Sequence, residues 1–345
     1  MLANAEDMAL LSHQLLPLFG AAEGFRSLTV SAHREEFLAE LKYQRDWLRQ
    51  VLVEHGGILI RGLGINDTEQ FGRVVDAIGL EPMPYLRGTT PRSRLARDIY
   101  TSTDATHFLP IPLHNEMSYT WPAPAMILFA CQTPATRGGA TPLADMAKVT
   151  SEIPNDIRAE FEERGIQYTQ YVPEKPRRFV KRTWADMFET QSRDQVEEIC
   201  AERGIAVSWL PNGTVRLRNS RPAVLQHPVT GEKVWFNQAH IFHHSFWSHI
   251  LRARRPVAAM VMKGFVAWHR LLRHEGRYPY DAAFGDGGEI PTRTMEIVRD
   301  VLERQTRRFE WQRGDLVILD NLRMGHARDP YYGERSIMAA LGNPS

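Results

Sequence analysis

Ile111-Pro112-Leu113-His114-Asn115-Glu116-Met117-Ser118-Tyr119 is the stretch on which the reading of this chain turns. Its residues favour a strand, and in a strand positions i and i+2 share a face about 6.6 Å apart. His114 and Glu116 are therefore expected to offer an imidazole and a carboxylate to one metal ion. The pattern alone is cheap. With 13 His and 41 acidic residues in 345 positions, chance supplies about 1.5 His-x-acid pairs. The chain has two, His33/Glu35 and His114/Glu116. The first falls at a helix start, where i and i+2 diverge by about 200° around the axis and cannot share an ion. On these residues alone, an ordinary hydrogen-bonded histidine at 114 is still the stronger reading.

The C-terminal third shifts that balance. Leu316 to Leu319 reads as a buried strand, followed by Asp320-Asn321 and then His326. Asp329-Pro330-Tyr331-Tyr332-Gly333 is a turn by composition, and Arg335 opens a last strand through Leu341. Two His and one carboxylate on one face leave open coordination positions, the pattern of non-haem Fe(II) oxygenases. A structural zinc site would want four ligands and usually Cys. Cys131 and Cys200 make neither a CxxC site nor a disulfide framework.

The rest of the chain bounds the class. Forty-two Lys+Arg against 41 Asp+Glu give a net charge of +1, which excludes a strongly cationic nucleic-acid binder. The longest apolar run, Ala125 to Cys131, is far short of the roughly 18 residues a membrane span needs. The first twenty residues lack a cationic leader, so a soluble, cytoplasmic protein with no nucleic-acid or membrane partner is expected. Apolar spacing predicts one helix over 35–52, stopped by Gly56-Gly57, then a strand at Ile58–Ile60 and a helix capped by Asp67. From about residue 100 short strands are expected at 113–119, 126–132, 215–218, 233–236, 316–320 and 335–341. Helical stretches are expected at 154–164, 194–203, 257–274 and 292–308. The whole reads as an α+β protein with an antiparallel sandwich or barrel core. One domain over 1–345 is expected, with helical support over about 1–99 and a core carrying a long insertion over about 100–345.

Several segments in the right order carry a family resemblance: YTSTDATHFLPIPLHNEMSY, CQTPATRGGATPLADM, GEKVWFNQAHIFHH, FGDGGEI and DNLRMGHARDPYYGERSIMAAL. With them the chain resembles the iron(II)/2-oxoglutarate-dependent dioxygenases of the taurine dioxygenase and clavaminate synthase-like superfamily. The nearest branch holds amino-acid hydroxylases similar to the syringomycin-pathway aspartyl hydroxylase. The resemblance implies a double-stranded β-helix (jelly-roll) core with flanking helices, Fe(II) on His114, Glu116 and His326, and 2-oxoglutarate and O2 as cosubstrates. Thr141, 27 residues past His114, matches the hydroxyl that contacts 2-oxoglutarate. Arg335 matches the arginine on its distal carboxylate, with Arg328 as a rival. Related halogenases replace the carboxylate ligand by a small residue; Glu116 keeps it, which favours hydroxylation or desaturation.

The implied substrate is an amino acid or a derivative of one, free or tethered to an acidic carrier protein. Ser102, Arg92, Asn237 and Arg328 are candidates to touch it, although Asn237 could equally satisfy its own backbone. Basic clusters at Arg177, Arg178, Lys181 and Arg182 and at Arg252–Arg255 would suit an acidic carrier, or are only solvated faces. His240, His243, His244 and His249 are expected to pack rather than ligate. A desaturase or cyclase, and a metal-binding jelly roll without oxygenase activity, are the other classes in play.

Overall fold

Seven consecutive buried residues, Gly314–Asp320, form the strand on which the molecule is built. The computed structural model describes residues 15–19, 24–30, 34–83, 92–96, 98–103, 105–177, 180, 182–252, 255–271 and 279–344. The labelled strands are β1 (Gly57–Ile65), β2 (Ile111–His114), β3 (Met126–Thr133), β4 (Leu143–Asp145), β5 (Gly314–Asp320), β6 (Met324–Arg328) and β7 (Ser336–Pro344). The labelled helices are α1 (Arg34–Tyr43), α2 (Arg45–His55), α3 (Thr68–Ile78), α4 (Ala239–Phe242), α5 (Phe246–Arg252), α6 (Pro256–Leu271) and α7 (Thr292–Gln305).

β5 lies between β1 and β3, antiparallel to both, and β7 pairs with the far side of β3. Arg26–Thr29 runs parallel to β1, and Ile99–Thr101 lies on β7, within a nine-stranded sheet. A second sheet has the order β4-β6-β2. The side-chain period of two sorts the large sheet into two faces. Ile58, Ile60, Leu128, Ala130, Leu316, Ile318, Met338 and Ala340 pack with Leu41, Leu48, Phe71 and Val74 of the helices. Their neighbours Leu59, Ile127, Phe129, Val317, Leu319, Ile337 and Ala339 pack with Leu143 and Met324 of the small sheet. β5 is covered on both sides, which is why it reads as an unbroken apolar run.

Three expectations need amendment. The predicted helix over 35–52 is two helices, α1 and α2, with Gln44 between them at φ −109° and ψ 33°. The buried residues explain the break: Phe37, Leu38 and Leu41 face inward in one, Trp47, Leu48, Val51 and Leu52 in the other. The step of six from Leu41 to Trp47 is about 240° out of phase on a continuous helix. The N-terminal part is also more than helical support, since β1 and Arg26–Thr29 are members of the large sheet. The expected strand over 113–119 ends at His114, with a turn beginning at Glu116.

Two helix-end signals read as predicted. Gly56 ends α2 at φ +74° with its N–H on the Leu52 carbonyl, and a Cβ there would meet Met324 Sδ at 2.6 Å. Asp67 caps α3 through the Gln70 N–H. The insertion builds its own four-stranded sheet from Ala206–Trp209, Val215–Arg221, Ile166–Val172 and Tyr280–Phe284. Among the described residues no helix is long and apolar enough to cross a membrane. His33, Arg178, Lys181, Arg254 and His274 lie outside the described residues.

Candidate metal centre

β2 and β6 run antiparallel with His114 directly opposite His326. Their rings stand 4.5 Å apart, centroid to centroid. Glu116 reaches the same place by a different route from the one its spacing suggested. The chain leaves the strand after His114, and Met117 takes φ +56°, so the carboxylate is delivered by a turn. Asn321 fixes that turn. Its Oδ1 accepts the Glu116 N–H at 2.7 Å, and its Nδ2 donates to the Glu116 carbonyl at 3.0 Å and the Pro124 carbonyl at 2.7 Å. Asn115 Nδ2 donates to the Asn321 carbonyl at 2.7 Å, and Gln238 Nε2 donates to the Asn115 carbonyl at 2.9 Å. One ligand atom from each of His114, Glu116 and His326 lies within 4.8 Å of the others.

The electrostatics prepare these groups to ligate. His114 Nδ1 donates to the Pro112 carbonyl at 2.8 Å, which leaves Nε2 as the lone-pair nitrogen. Burial, and then the neighbouring His326, push the His114 pKa down to about 4. Burial alone would raise the pKa of Glu116. Arg92, in a buried ion pair with Glu116 Oε2, outweighs it with help from His326 and His114, and the result is about 2. At neutral pH the site therefore offers a neutral imidazole at His114 and an ionised carboxylate at Glu116. His326 Nε2 stands 3.6 Å from Glu116 Oε2. Two imidazoles and one carboxylate from one side fit a facial Fe(II) site. No fourth His, Cys, Asp or Glu joins the group among the described residues, as a closed structural zinc site would require.

A cavity beside the triad is lined by Arg92, Ser102, Thr103, Ile111, Phe129, Thr141, Arg328 and Arg335 together with His114 and His326. Arg335 donates from Nε to the Gly139 carbonyl at 3.0 Å and from Nη2 to Thr141 Oγ1 at 3.4 Å. Trp311 Nε1 donates to the same hydroxyl at 3.0 Å. With two donors on its oxygen, Thr141 has its own hydrogen left to give. Burial, and then Arg328, push the Arg335 pKa down to about 10, so it remains a cation at neutral pH. Among the described residues no carboxylate pairs with it, which suits a bound dicarboxylate. Gly139 makes the approach possible: at φ +73°, a Cβ would meet Arg335 Cδ at 3.1 Å.

Arg328 spends its fork differently. It donates to the backbone carbonyls of Ala105, Thr106 and Leu109 at 2.9, 2.6 and 2.8 Å. Ser102 lines the cavity, while its N–H donates to the Ile337 carbonyl at 2.8 Å. Asn237 does not line it. Asn237 is fully buried, donates to the Ala223 carbonyl at 2.8 Å and accepts from the Ala239 N–H at 3.1 Å. His240 turns toward backbone, with Nε2 2.8 Å from the Leu113 carbonyl. His243 sits between Ser245 Oγ and the Ile290 carbonyl, and neither joins a metal group. Arg177 bonds Thr214 Oγ1 at 2.7 Å, away from the cavity. Sequence reasoning did not single out Trp311 or Phe129, and it noted Asn321 without giving it a role.

Comparison with known proteins shows the family of the chain. The model of the taurine catabolism dioxygenase TauD, TfdA family matches residues 14–341. The dapdiamide synthesis protein DdaC of Enterobacter agglomerans is 32% identical over 336 residues, covering 96% of this chain and 95% of that one. A clavaminate synthase-like protein of Arabidopsis thaliana is 27% identical over 312 residues, covering 88% and 87%. Among solved structures, PvcB from Pseudomonas aeruginosa aligns with a TM-score of 0.51 at 15% identity, over 95% of this chain and 90% of that one. A second PvcB structure, described as an Fe, alpha-ketoglutarate dependent oxygenase from an isonitrile synthetic pathway, gives 0.50 at 14% identity, with the same coverage. At such identities the structural likeness bears on fold alone. A family match over nearly the whole length, with the His114, Glu116 and His326 site, makes this chain a member of the TauD, TfdA family and an Fe(II)/2-oxoglutarate-dependent dioxygenase.

Proposed function

We propose that this dioxygenase hydroxylates an unactivated C–H bond of an amino acid or amino-acid derivative in natural-product biosynthesis. Likeness to DdaC, a dapdiamide synthesis protein, over almost the whole of both chains supports that setting. The observation that carries the reaction type is the retained carboxylate, Glu116, ionised and locked by Arg92 and Asn321. A carboxylate in that place occupies the position a halide would need. The two facing sheets are read as a double-stranded β-helix core, and the chain as one domain.

Bound Fe(II) supplies the activation of O2 that no side chain can supply. The protein holds and orients. His114, Glu116 and His326 would carry the metal. Arg335 would give paired N–H donors to the far carboxylate of 2-oxoglutarate, and Thr141 its free hydroxyl hydrogen. Arg335 is preferred to Arg328 because the Arg328 fork is already engaged by three carbonyls. Arg92 and Ser102, on the cavity wall, would meet the substrate. Carrier tethering is favoured over a free amino acid, with Arg177 and Arg182 as the cations an acidic carrier would meet.

The test offers free amino acids and their carrier-loaded thioesters in parallel, with Fe(II), 2-oxoglutarate and O2. Succinate formation with a product heavier by one oxygen supports the proposal. A product lighter by two hydrogens reassigns the enzyme as a desaturase. Efficient turnover of a free amino acid, unchanged by charge reversal at Arg177, removes the carrier and leaves the hydroxylase.

A further inference from the structure

Arg299, on α7, is only 7% exposed. Its guanidinium donates from Nε and Nη2 to the His240 carbonyl at 3.1 and 2.7 Å, and from Nη1 to Ser245 Oγ at 2.8 Å. All three bonds go to neutral acceptors. Among the described residues no carboxylate forms an ion pair with it. Glu296, one turn back on the same helix, acts on its charge through space, but the ion pairs of Glu296 are with Arg252 at 3.9 Å and Arg293 at 3.7 Å. Burying a charge without a carboxylate in direct contact is costly, so a fold that keeps such a cation has reason to receive an anion.

There is room for one. A cavity of about 680 Å³ between α5, α6 and α7 has Arg299 in its wall, within the range of small-molecule sites. Arg252, Lys263, His244 and His249 line it with a single acid, Glu296, and Pro256, Ala259, Met260, Val266 and Ala267 supply apolar surface. From Lys233 to His274 the sequence holds no Asp or Glu at all. The side of α6 away from the cavity is apolar as well, with Val257 74%, Val261 67% and Trp268 59% exposed, more than a solvent-facing helix ordinarily shows. None of these residues lines the cavity that holds His114 and His326.

We propose that this cavity is an accessory binding site for a monocarboxylate with an apolar body. The carboxylate takes the remaining N–H donors of Arg299, and the body lies on Ala259, Met260 and Val266 of α6. The site is linked to the metal strand by two bonds. Arg299 holds the His240 carbonyl, and the His240 ring reaches the Leu113 carbonyl, next to His114. Occupancy would stabilise the strand that presents the first metal ligand.

Octanoate and inorganic phosphate are the probes, titrated calorimetrically into the enzyme loaded with Fe(II) and 2-oxoglutarate under argon, so that the place of 2-oxoglutarate beside Arg335 is already filled. The expected result is saturable octanoate binding with a rise in melting temperature, and phosphate binding at least tenfold weaker. Arg299→Gln and Ala259→Trp should each weaken octanoate at least tenfold. The second leaves Arg299 in place and fills the cavity, and it decides the matter if Arg299→Gln does not fold. No saturable octanoate binding, or binding unchanged in Ala259→Trp, overturns the proposal. Phosphate binding as tightly as octanoate overturns the assignment to an apolar carboxylate. Octanoate binding lost in Arg335→Gln and kept in Ala259→Trp places it in the reaction cavity and also overturns the proposal.

Discussion

Asn321 grips the backbone of Glu116 from both ends, accepting its N–H at 2.7 Å and donating to its carbonyl at 3.0 Å. A ligand on a turn is thereby held as firmly as one on a strand. Asn321→Ala leaves a buried N–H and two buried carbonyls with no partner, at about 1–3 kcal/mol each. The melting temperature should fall, and Fe(II) affinity should drop by about 10- to 100-fold, the usual effect of losing a group that orients a metal ligand. Titration of Fe(II) under anaerobic conditions measures this. Wild-type affinity in a folded variant would remove Asn321 from the site.

Glu116→Ala deletes the only anionic ligand and should abolish turnover, whereas Glu116→Asp, one methylene shorter, should retain partial activity. A chelator should silence the wild-type enzyme, and Fe(II) should restore it. Succinate release coupled to product formation is the assay. Near-normal hydroxylation in Glu116→Ala would mean that another carboxylate serves the metal.

The two cavity arginines should separate cleanly. Arg335→Gln removes a charge-assisted pair of about 1.5–3 kcal/mol, so the KM for 2-oxoglutarate should rise by about 10- to 150-fold with Fe(II) binding intact. Arg328→Gln frees the carbonyls of Ala105, Thr106 and Leu109 and should act mainly on stability. The reverse pattern would transfer the cosubstrate role to Arg328.

Acid should destabilise the protein earlier than carboxylate titration alone would. Burial, and then Arg299, lower the His240 pKa from 6.5 to about 3, so the unfolded chain binds a proton there that the folded chain refuses. The stability is fully present above pH 6.5 and is lost as pH falls toward 3, at up to about 1.4 kcal/mol per pH unit for one proton. His114, lowered to about 4, acts in the same sense. His240→Gln keeps an N–H donor toward Leu113 without a titrating ring. Its urea midpoint should fall less steeply between pH 6.5 and 4 than that of the wild type. Parallel slopes would contradict the assignment.

What the sequence made legible was whatever depends on local pattern. Leu316 to Leu319 announced a strand covered on both faces because nothing polar interrupts it. Gly56 and Asp67 announced helix ends because capping chemistry is local. The three side chains that come together, His114, Glu116 and His326, were named from the sequence, but Glu116 arrives on a turn and not on the strand its spacing suggested. Its position depends on Asn321, 205 residues away, and no local period encodes that bond. The break at Gln44 was visible in the six-residue step between apolar pairs, once two inward faces are compared rather than one. Arg299 and Trp311 carry no local signature at all. Their partners, His240, Ser245 and Thr141, come from other elements, so only the folded chain identifies them.

The strand order has a consequence for synthesis. β1 and β3 emerge from the ribosome long before β5, which must pair with both of them. β6, which brings His326 opposite His114, follows β5. Until then the nascent chain carries two apolar strands with open edges, the surfaces on which chains associate wrongly. The iron pocket likewise cannot exist on a partial product, because Asn321 and His326 are among the later residues made. Iron loading therefore waits until His326 has been made and has come to lie opposite His114, and the open edges of β1 and β3 need shielding until β5 arrives.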